Sequence, residues 1–124
     1  AGAFHTSFMA PARSQIEKLA SEFVAKNPLS TLLSNFDGRE VASGDEALSR
    51  IVQQIAHPVR WDLCMATLAE LGVTGVIELA PGGTLTGLLK RAVPNIESFA
   101  IKNPTDILAA QEFAAKHADS VVAK

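Results

Sequence analysis

The stretch Val73–Arg91, V-T-G-V-I-E-L-A-P-G-G-T-L-T-G-L-L-K-R, sets the tightest limit on what this chain can fold into. Val76-Ile77-Glu78-Leu79 is a short run rich in β-branched and apolar residues, which predicts a buried strand. Ala80–Gly83 carries Pro81 and the pair Gly82-Gly83, the residues of a tight turn. Thr84 then offers an N-cap, and Leu85, Leu88, Leu89 and Ala92 recur at helical spacing until Val93-Pro94 ends the helix. A strand, a Gly-rich turn and a helix form the half-unit of an α/β sheet. A second strand is predicted at Glu97–Ile101, so Val73–Leu79 and Glu97–Ile101 are expected to lie side by side in a right-handed parallel crossover. Two parallel strands are too few for an independent sheet, whose faces need cover and whose edges need partners. Further strands are therefore expected on chain that this sequence does not include.

The other elements follow from local patterns. Pro11 suits the first turn of a helix. Ile16, Leu19, Ala20, Phe23 and Val24 form an amphipathic stripe, with Glu17, Lys18 and Glu22 on the wet side, and Asn27-Pro28 is the expected stop. Leu29–Phe36 reads as a strand, Asp37-Gly38 as a hairpin turn and Arg39–Ser43 as the return strand. Asp45 is the expected cap of a helix that buries Leu48, Ile51, Val52 and Ile55, and His57-Pro58 breaks it. A further helix turns Trp61, Cys64, Met65, Leu68 and Leu71 inward, with Gly72 as its C-terminal stop. Asn103-Pro104 starts a last helix with a weaker inward stripe of Ile107, Ala110 and Ala114. The residues after His117 are expected to form a tail. No internal repeat or dividing linker is visible.

At 124 residues the chain is one domain or part of one. Its net charge of −2 provides no basic field for nucleic acid or an anionic membrane. The single cysteine, Cys64, excludes an intrachain disulfide framework and fits a reducing compartment, so the chain is expected to be cytoplasmic. No apolar run is long enough to span a bilayer and no signal peptide is visible. The sequence begins with Ala1 rather than Met and is apolar from Gly2-Ala3-Phe4, which suggests a piece of a longer polypeptide, with a tag scar or removal of the first Met as the alternative.

Chemistry-bearing motifs are sparse. Gly82-xxxx-Gly87 matches the start of a P-loop, but Leu88 stands where the phosphate-binding Lys is required, and no G-x-G-x-x-G occurs. Gly82 and Gly83 are read as turn residues and Gly87 as room for the helix to lie close on its sheet. His5, His57 and His117 are far apart and no metal-ligand spacing is present, so no metal site is expected. No Gly-x-Ser-x-Gly elbow exists, and Ser7, Ser30, Ser34, Ser43 and Ser49 have no context that marks a nucleophile. On pattern alone His5 is an exposed histidine and Cys64 an inert core thiol. The chain can supply a base but shows no attacking group.

Three segments carry a resemblance. Gly2-Ala3-Phe4-His5-Thr6, then Gln54-Ile55-Ala56-His57-Pro58-Val59-Arg60-Trp61, then Glu78-Leu79-Ala80-Pro81-Gly82-Gly83-Thr84-Leu85-Thr86-Gly87-Leu88 occur in order and at matching separations. Together they resemble the C-terminal part of malonyl-CoA:acyl carrier protein transacylases, the acyltransferase family of fatty acid and polyketide synthesis, in its actinobacterial form. The resemblance covers nearly the whole chain. It implies an α/β fold: the C-terminal portion of an α/β-hydrolase-like acyltransferase core, with parallel strands, flanking helices and a small β-hairpin. Residues 1–124 would then be the C-terminal part of the large subdomain, and the ferredoxin-like subdomain would lie on chain not included here.

The family transfers malonyl from malonyl-CoA to the phosphopantetheine thiol of acyl carrier protein through a Ser–His pair, with no covalently bound cofactor. By resemblance the catalytic His is His5, and the backbone carbonyl that orients it belongs to Gln54. Phe4 matches the position where related synthase acyltransferases carry Phe for malonyl and Ser for methylmalonyl. The family often has Asn where this sequence has His57. The nucleophile elbow, the G-Q-G-S-Q segment of the oxyanion hole and the Arg that pairs with the malonyl carboxylate match nothing here. The chain alone is therefore expected to be inactive, with the N-terminal part of the same enzyme, malonyl-CoA and acyl carrier protein as its partners, and neither nucleic acid nor membrane. Lys90 and Arg91 are candidates to meet an acidic carrier, or simply a solvated helix end. The competing expectation is a small non-catalytic α/β binding module that holds an anion at the Gly82-Gly83 turn.

Overall fold

The computed structural model of the chain describes residues 2–118. It divides into two units, Ala1–Thr67 and Leu68–Lys124. Of the tail expected after His117, residues 119–124 lie outside the described residues. No helix among the described residues is long and apolar enough to cross a membrane.

In the first unit a 3-10 turn, Ser7–Met9, leads into helix α1, Ala10–Ala20, with Pro11 in its first turn. The helix stops short of the stripe read from the sequence. Glu22 N–H bonds Leu19 O and Phe23 N–H bonds Ala20 O, so the last turn tightens, while the Ser21 hydroxyl donates to Lys18 O. Phe23 and Val24 consequently lie beyond α1 and are exposed, as are Ile16 and Leu19.

The predicted hairpin is reduced to one antiparallel bridge, Leu33–Glu40. Ser34 N–H bonds Arg39 O and Val41 N–H bonds Leu32 O, but the ladder goes no further. Side chains take the neighbouring donors: Ser34 Oγ accepts from Phe36 N–H, Asp37 Oδ1 from Arg39 N–H, and Glu46 Oε2 from Ala42 N–H. Past Val41 the return segment is thereby bonded to the next helix instead of to a strand.

That helix, α2, runs Gly44–Gln54, and its cap is Ser43 rather than Asp45: Ser43 Oγ accepts from Glu46 N–H at 3.2 Å. Ser43 has the extended backbone a cap requires, whereas Asp45 already lies within the first turn. Arg50 ties the bridge to α2, reaching Asp37 Oδ1 at 2.8 Å as well as Glu46 one turn back. Val41, Val52, Cys64 and Met65 are the buried apolar residues of this unit, whereas Ile51, expected inward, is 63% exposed.

Helix α3, Trp61–Glu70, contains the boundary between the units. It ends as expected at Gly72, whose φ of +72° allows Gly72 N–H to bond Ala69 O and Val73 N–H to bond Leu68 O. Leu71, expected inward, is exposed.

The second unit is a strand–helix–strand crossover. Strand β1, Gly75–Glu78, pairs in parallel with β2, Glu97–Ala100, in the register Gly75–Glu97 through Glu78–Ala100. Helix α4, Thr84–Ala92, connects them and packs on both, with Leu89 wholly buried and Ile96 nearly so. The close approach belongs to Gly82, not Gly87. A Cβ on Gly82 would meet the Ile101 carbonyl oxygen at 2.8 Å, while one on Gly87 would meet nothing within 4 Å.

Pro104–Asp106 forms a 3-10 turn, and helix α5, Ile107–Ala118, follows and packs on β1. Of its expected stripe only Ala110 is buried; Ile107 and Ala114 are exposed. Phe113 and His117 point inward instead, as the contacts Phe99–Phe113 and Phe113–His117 show, with ring centroids 5.9 and 4.5 Å apart. His117 occupies the space that a side chain on Gly75 would fill.

Candidate active site

His5 and the C-terminal end of α2 meet in the first unit. A helix leaves its last four carbonyls without intrahelical partners, so this end of α2 is a ready set of acceptors. His5 takes two of them. Its backbone N–H bonds Ile55 O at 3.1 Å, and its Nδ1 lies 2.9 Å from Gln54 O. His5 has φ +62°, the left-handed region, where histidine occurs more readily than most non-glycine residues. The Thr6 hydroxyl, bonded to Ala3 O at 2.6 Å, closes the turn around it.

A carbonyl oxygen only accepts, so Nδ1 carries the proton in this hydrogen bond. In the neutral ring Nε2 is then the basic nitrogen. The ring is exposed, and its geometry suits proton transfer at Nε2 with a fixed tautomer behind it.

His57, expected from the sequence only to break the helix, is tied to the same helix end. Its Nδ1 lies 2.7 Å from Gln53 O, and its ring packs edge-on against Phe36 with centroids 5.1 Å apart. Gln54 contributes its side chain as well as its carbonyl: Nε2 donates to His57 O at 2.8 Å and to Pro58 O at 3.0 Å. Phe4, immediately before His5, is 63% exposed with its ring over Gly2.

A cavity of about 420 Å³ lies elsewhere in this unit, lined by residues of α1 and α2 such as Arg13, Glu17, Asp45 and Gln53, and includes neither His5 nor Gln54. Cys64 is buried, and burial pushes its thiol up from its ordinary value, the state of an inert core thiol.

The Gly82-Gly83 turn of the second unit has a different character from the one the sequence suggests. Glu78, at the end of β1, turns its buried carboxylate onto the start of α4. Oε2 accepts from Gly83 N–H at 2.8 Å and Thr86 N–H at 2.9 Å, and Oε1 accepts from Leu85 N–H at 3.0 Å. These backbone donors, that of Thr86 first, hold the Glu78 carboxyl at about 2, well below its ordinary 4.5. Thr84 is therefore not the cap; Gly83 stands at the cap position and the strand's own glutamate does the capping. An external anion finds these donors already occupied. The only sequence signal was an acidic residue closing an apolar β-run shortly before a helix start. Lys90 and Arg91 lie exposed in the last turn of α4.

No family model matches the chain. Among curated proteins it is 47% identical over 107 residues to a malonyl CoA-acyl carrier protein transacylase of Mycobacterium tuberculosis, a match that covers 86% of this chain and 35% of the relative. The structure of the Synechocystis malonyl-CoA:ACP transacylase superposes with a TM-score of 0.83 at 33% identity, over 88% of this chain and 37% of that one. A malonyl-transacylase solved in complex with a type II polyketide acyl-carrier protein gives 0.82 at 28% identity, over 88% of this chain and 35% of that one. The chain thus spans little more than a third of the length of the proteins it matches. Over that stretch the chain is similar, in sequence and in α/β fold, to the malonyl CoA-acyl carrier protein transacylases.

Proposed function

We propose that this chain supplies the general base of a malonyl transfer from malonyl-CoA to the phosphopantetheine thiol of acyl carrier protein, in fatty acid or polyketide biosynthesis in the cytoplasm. The observation that supports it most is the pair His5 Nδ1–Gln54 O at 2.9 Å, on a residue held at φ +62°. Backbone in a sparsely populated region, fixed by bonds to another element, is a mark of functional sites.

In this reading residues 1–124 belong to the C-terminal part of the large acyltransferase subdomain. The nucleophilic serine, the oxyanion donors and the carboxylate-binding arginine come from the N-terminal part of the same enzyme. His5 Nε2 takes the serine proton as the serine oxygen bonds the malonyl thioester carbon. The C–S bond breaks, and the CoA thiolate leaves with the proton returned by the imidazolium. The carrier thiol then gives its proton to Nε2 and attacks the acyl-serine ester, and the serine leaves reprotonated. Through both halves the Gln54 carbonyl keeps Nδ1 protonated and the ring oriented. Phe4, beside the base, crowds an α-methyl branch and favours malonyl.

Malonyl transfer by the full-length enzyme tests the reading: the His5→Ala substitution abolishes it, and unchanged transfer refutes it. The competing reading, an anion-binding module at the Gly82-Gly83 turn, loses its main support to the Glu78 carboxylate.

A further inference from the structure

The carbonyl that orients His5 is itself held by a closed set of bonds. Gln54 O accepts from His5 Nδ1 at 2.9 Å and from His57 N–H at 3.2 Å. The Gln54 carboxamide returns to the same turn, donating to His57 O at 2.8 Å and Pro58 O at 3.0 Å. The His57 ring donates to the neighbouring carbonyl, Gln53 O, at 2.7 Å. Three consecutive carbonyls at the end of α2, those of Gln53, Gln54 and Ile55, thus receive His57 Nδ1, His5 Nδ1 and His5 N–H. Helix ends fray because these acceptors lack partners within the helix. Here side-chain donors hold the end in place, and the peptide plane of Gln54 has bonds on both sides that resist its rotation.

We infer that the Gln54 carboxamide and the His57 imidazole are positioning residues, which lock the end of α2 so that the Gln54 carbonyl fixes His5 in its Nδ1–H form. The inference deepens the reading of His5 as the base and rests on it for its catalytic consequence. The lock itself is a property of the folded chain and is measured separately. Asn carries its amide nitrogen on Cγ, as His carries Nδ1, so an Asn at position 57 keeps the donor to Gln53 O. Phe keeps the ring against Phe36 and removes the donor. Met in place of Gln54 keeps the length of the side chain and removes both of its donors.

The test is a two-bond 1H–15N correlation spectrum of the histidine-labelled full-length enzyme, which reports the tautomer of the His5 ring directly, run beside its kcat and KM for malonyl transfer. In the parent enzyme His5 is in the Nδ1–H form. Gln54→Met and His57→Phe each shift it toward the Nε2–H form and lower kcat roughly 10- to 100-fold with KM little changed, as expected when a reacting group is misplaced. His57→Asn restores both the tautomer and kcat. The two disruptive variants remove different bonds, so either one that remains folded suffices. A His5 ring that keeps its Nδ1–H form in both overturns the inference. A tautomer shift without any change in kcat leaves the lock in place and removes the catalytic role of His5 instead.

Discussion

His5 Nδ1 and the carbonyl oxygen of Gln54 stand 2.9 Å apart although 49 positions separate them in sequence. This bond joins the start of the chain to the end of α2, and it decides which ring nitrogen is basic.

Incubated alone with malonyl-CoA, this chain gains no malonyl mass by intact-protein mass spectrometry. The reason is chemical: among the described residues it offers a base but no activated hydroxyl beside it. An adduct on any of its own residues would show that the nucleophile lies in this sequence, contrary to the proposed division of the active site.

Phe4→Ser raises the use of methylmalonyl-CoA relative to malonyl-CoA in the full-length enzyme. Room for one methyl group is worth about 1–3 kcal/mol, so the ratio of kcat/KM values moves by roughly one to two orders of magnitude. An unchanged ratio removes Phe4 from specificity.

Glu78 makes stability depend on pH in a definite direction. Its folded carboxyl is held at about 2 against an ordinary 4.5. A depressed carboxyl pKa stabilises the fold above the unfolded value, and that contribution is lost as pH falls from about 4.5 toward 2. Glu78→Gln removes this component: Tm is lowered at pH 7, and its fall below pH 4.5 is shallower than in the parent chain. Parallel acid profiles for the two proteins contradict the cap. Glu46 and Asp106, whose carboxyls backbone donors also hold low, keep some acid sensitivity in both.

Two glycines in the same segment should respond oppositely to alanine. Gly82→Ala puts a Cβ 2.8 Å from the Ile101 carbonyl oxygen and destabilises by about 1–3 kcal/mol. Gly87→Ala lies within α4 facing open space and stabilises by up to about 1 kcal/mol through helix propensity. Urea unfolding of both variants checks the pair, and equal effects would show that the turn is not where the backbones approach.

What the sequence disclosed depended on the range of the interaction. The strand–turn–helix–strand order of the second unit was legible because the runs at Val76–Leu79, Leu85–Ala92 and Glu97–Ile101 carry their own periodicity. The Gly72 stop was legible because a positive φ after a helix calls for glycine. The Leu33–Glu40 hairpin was over-read, since Asp37-Gly38 marks a turn but cannot reveal that Glu46 takes the Ala42 donor. The Glu78 cap was hidden because the residue sits in an apolar run and its partners belong to the next element. Phe23 and Val24 fit a helical stripe that the Ser21 turn ends early. His5 and Gln54 show no pattern that links them; only the resemblance paired them, and it left the His57 and Gln54 side-chain bonds unread.

The most direct measurement is malonyl transfer to holo acyl carrier protein by the full-length enzyme, parent against His5→Ala, at saturating malonyl-CoA. Loss of a general base predicts a fall of roughly 10²–10⁴-fold in kcat with the protein still folded. Transfer at the parent rate would contradict the assignment of His5 as the base, and with it the catalytic meaning of the bond to Gln54.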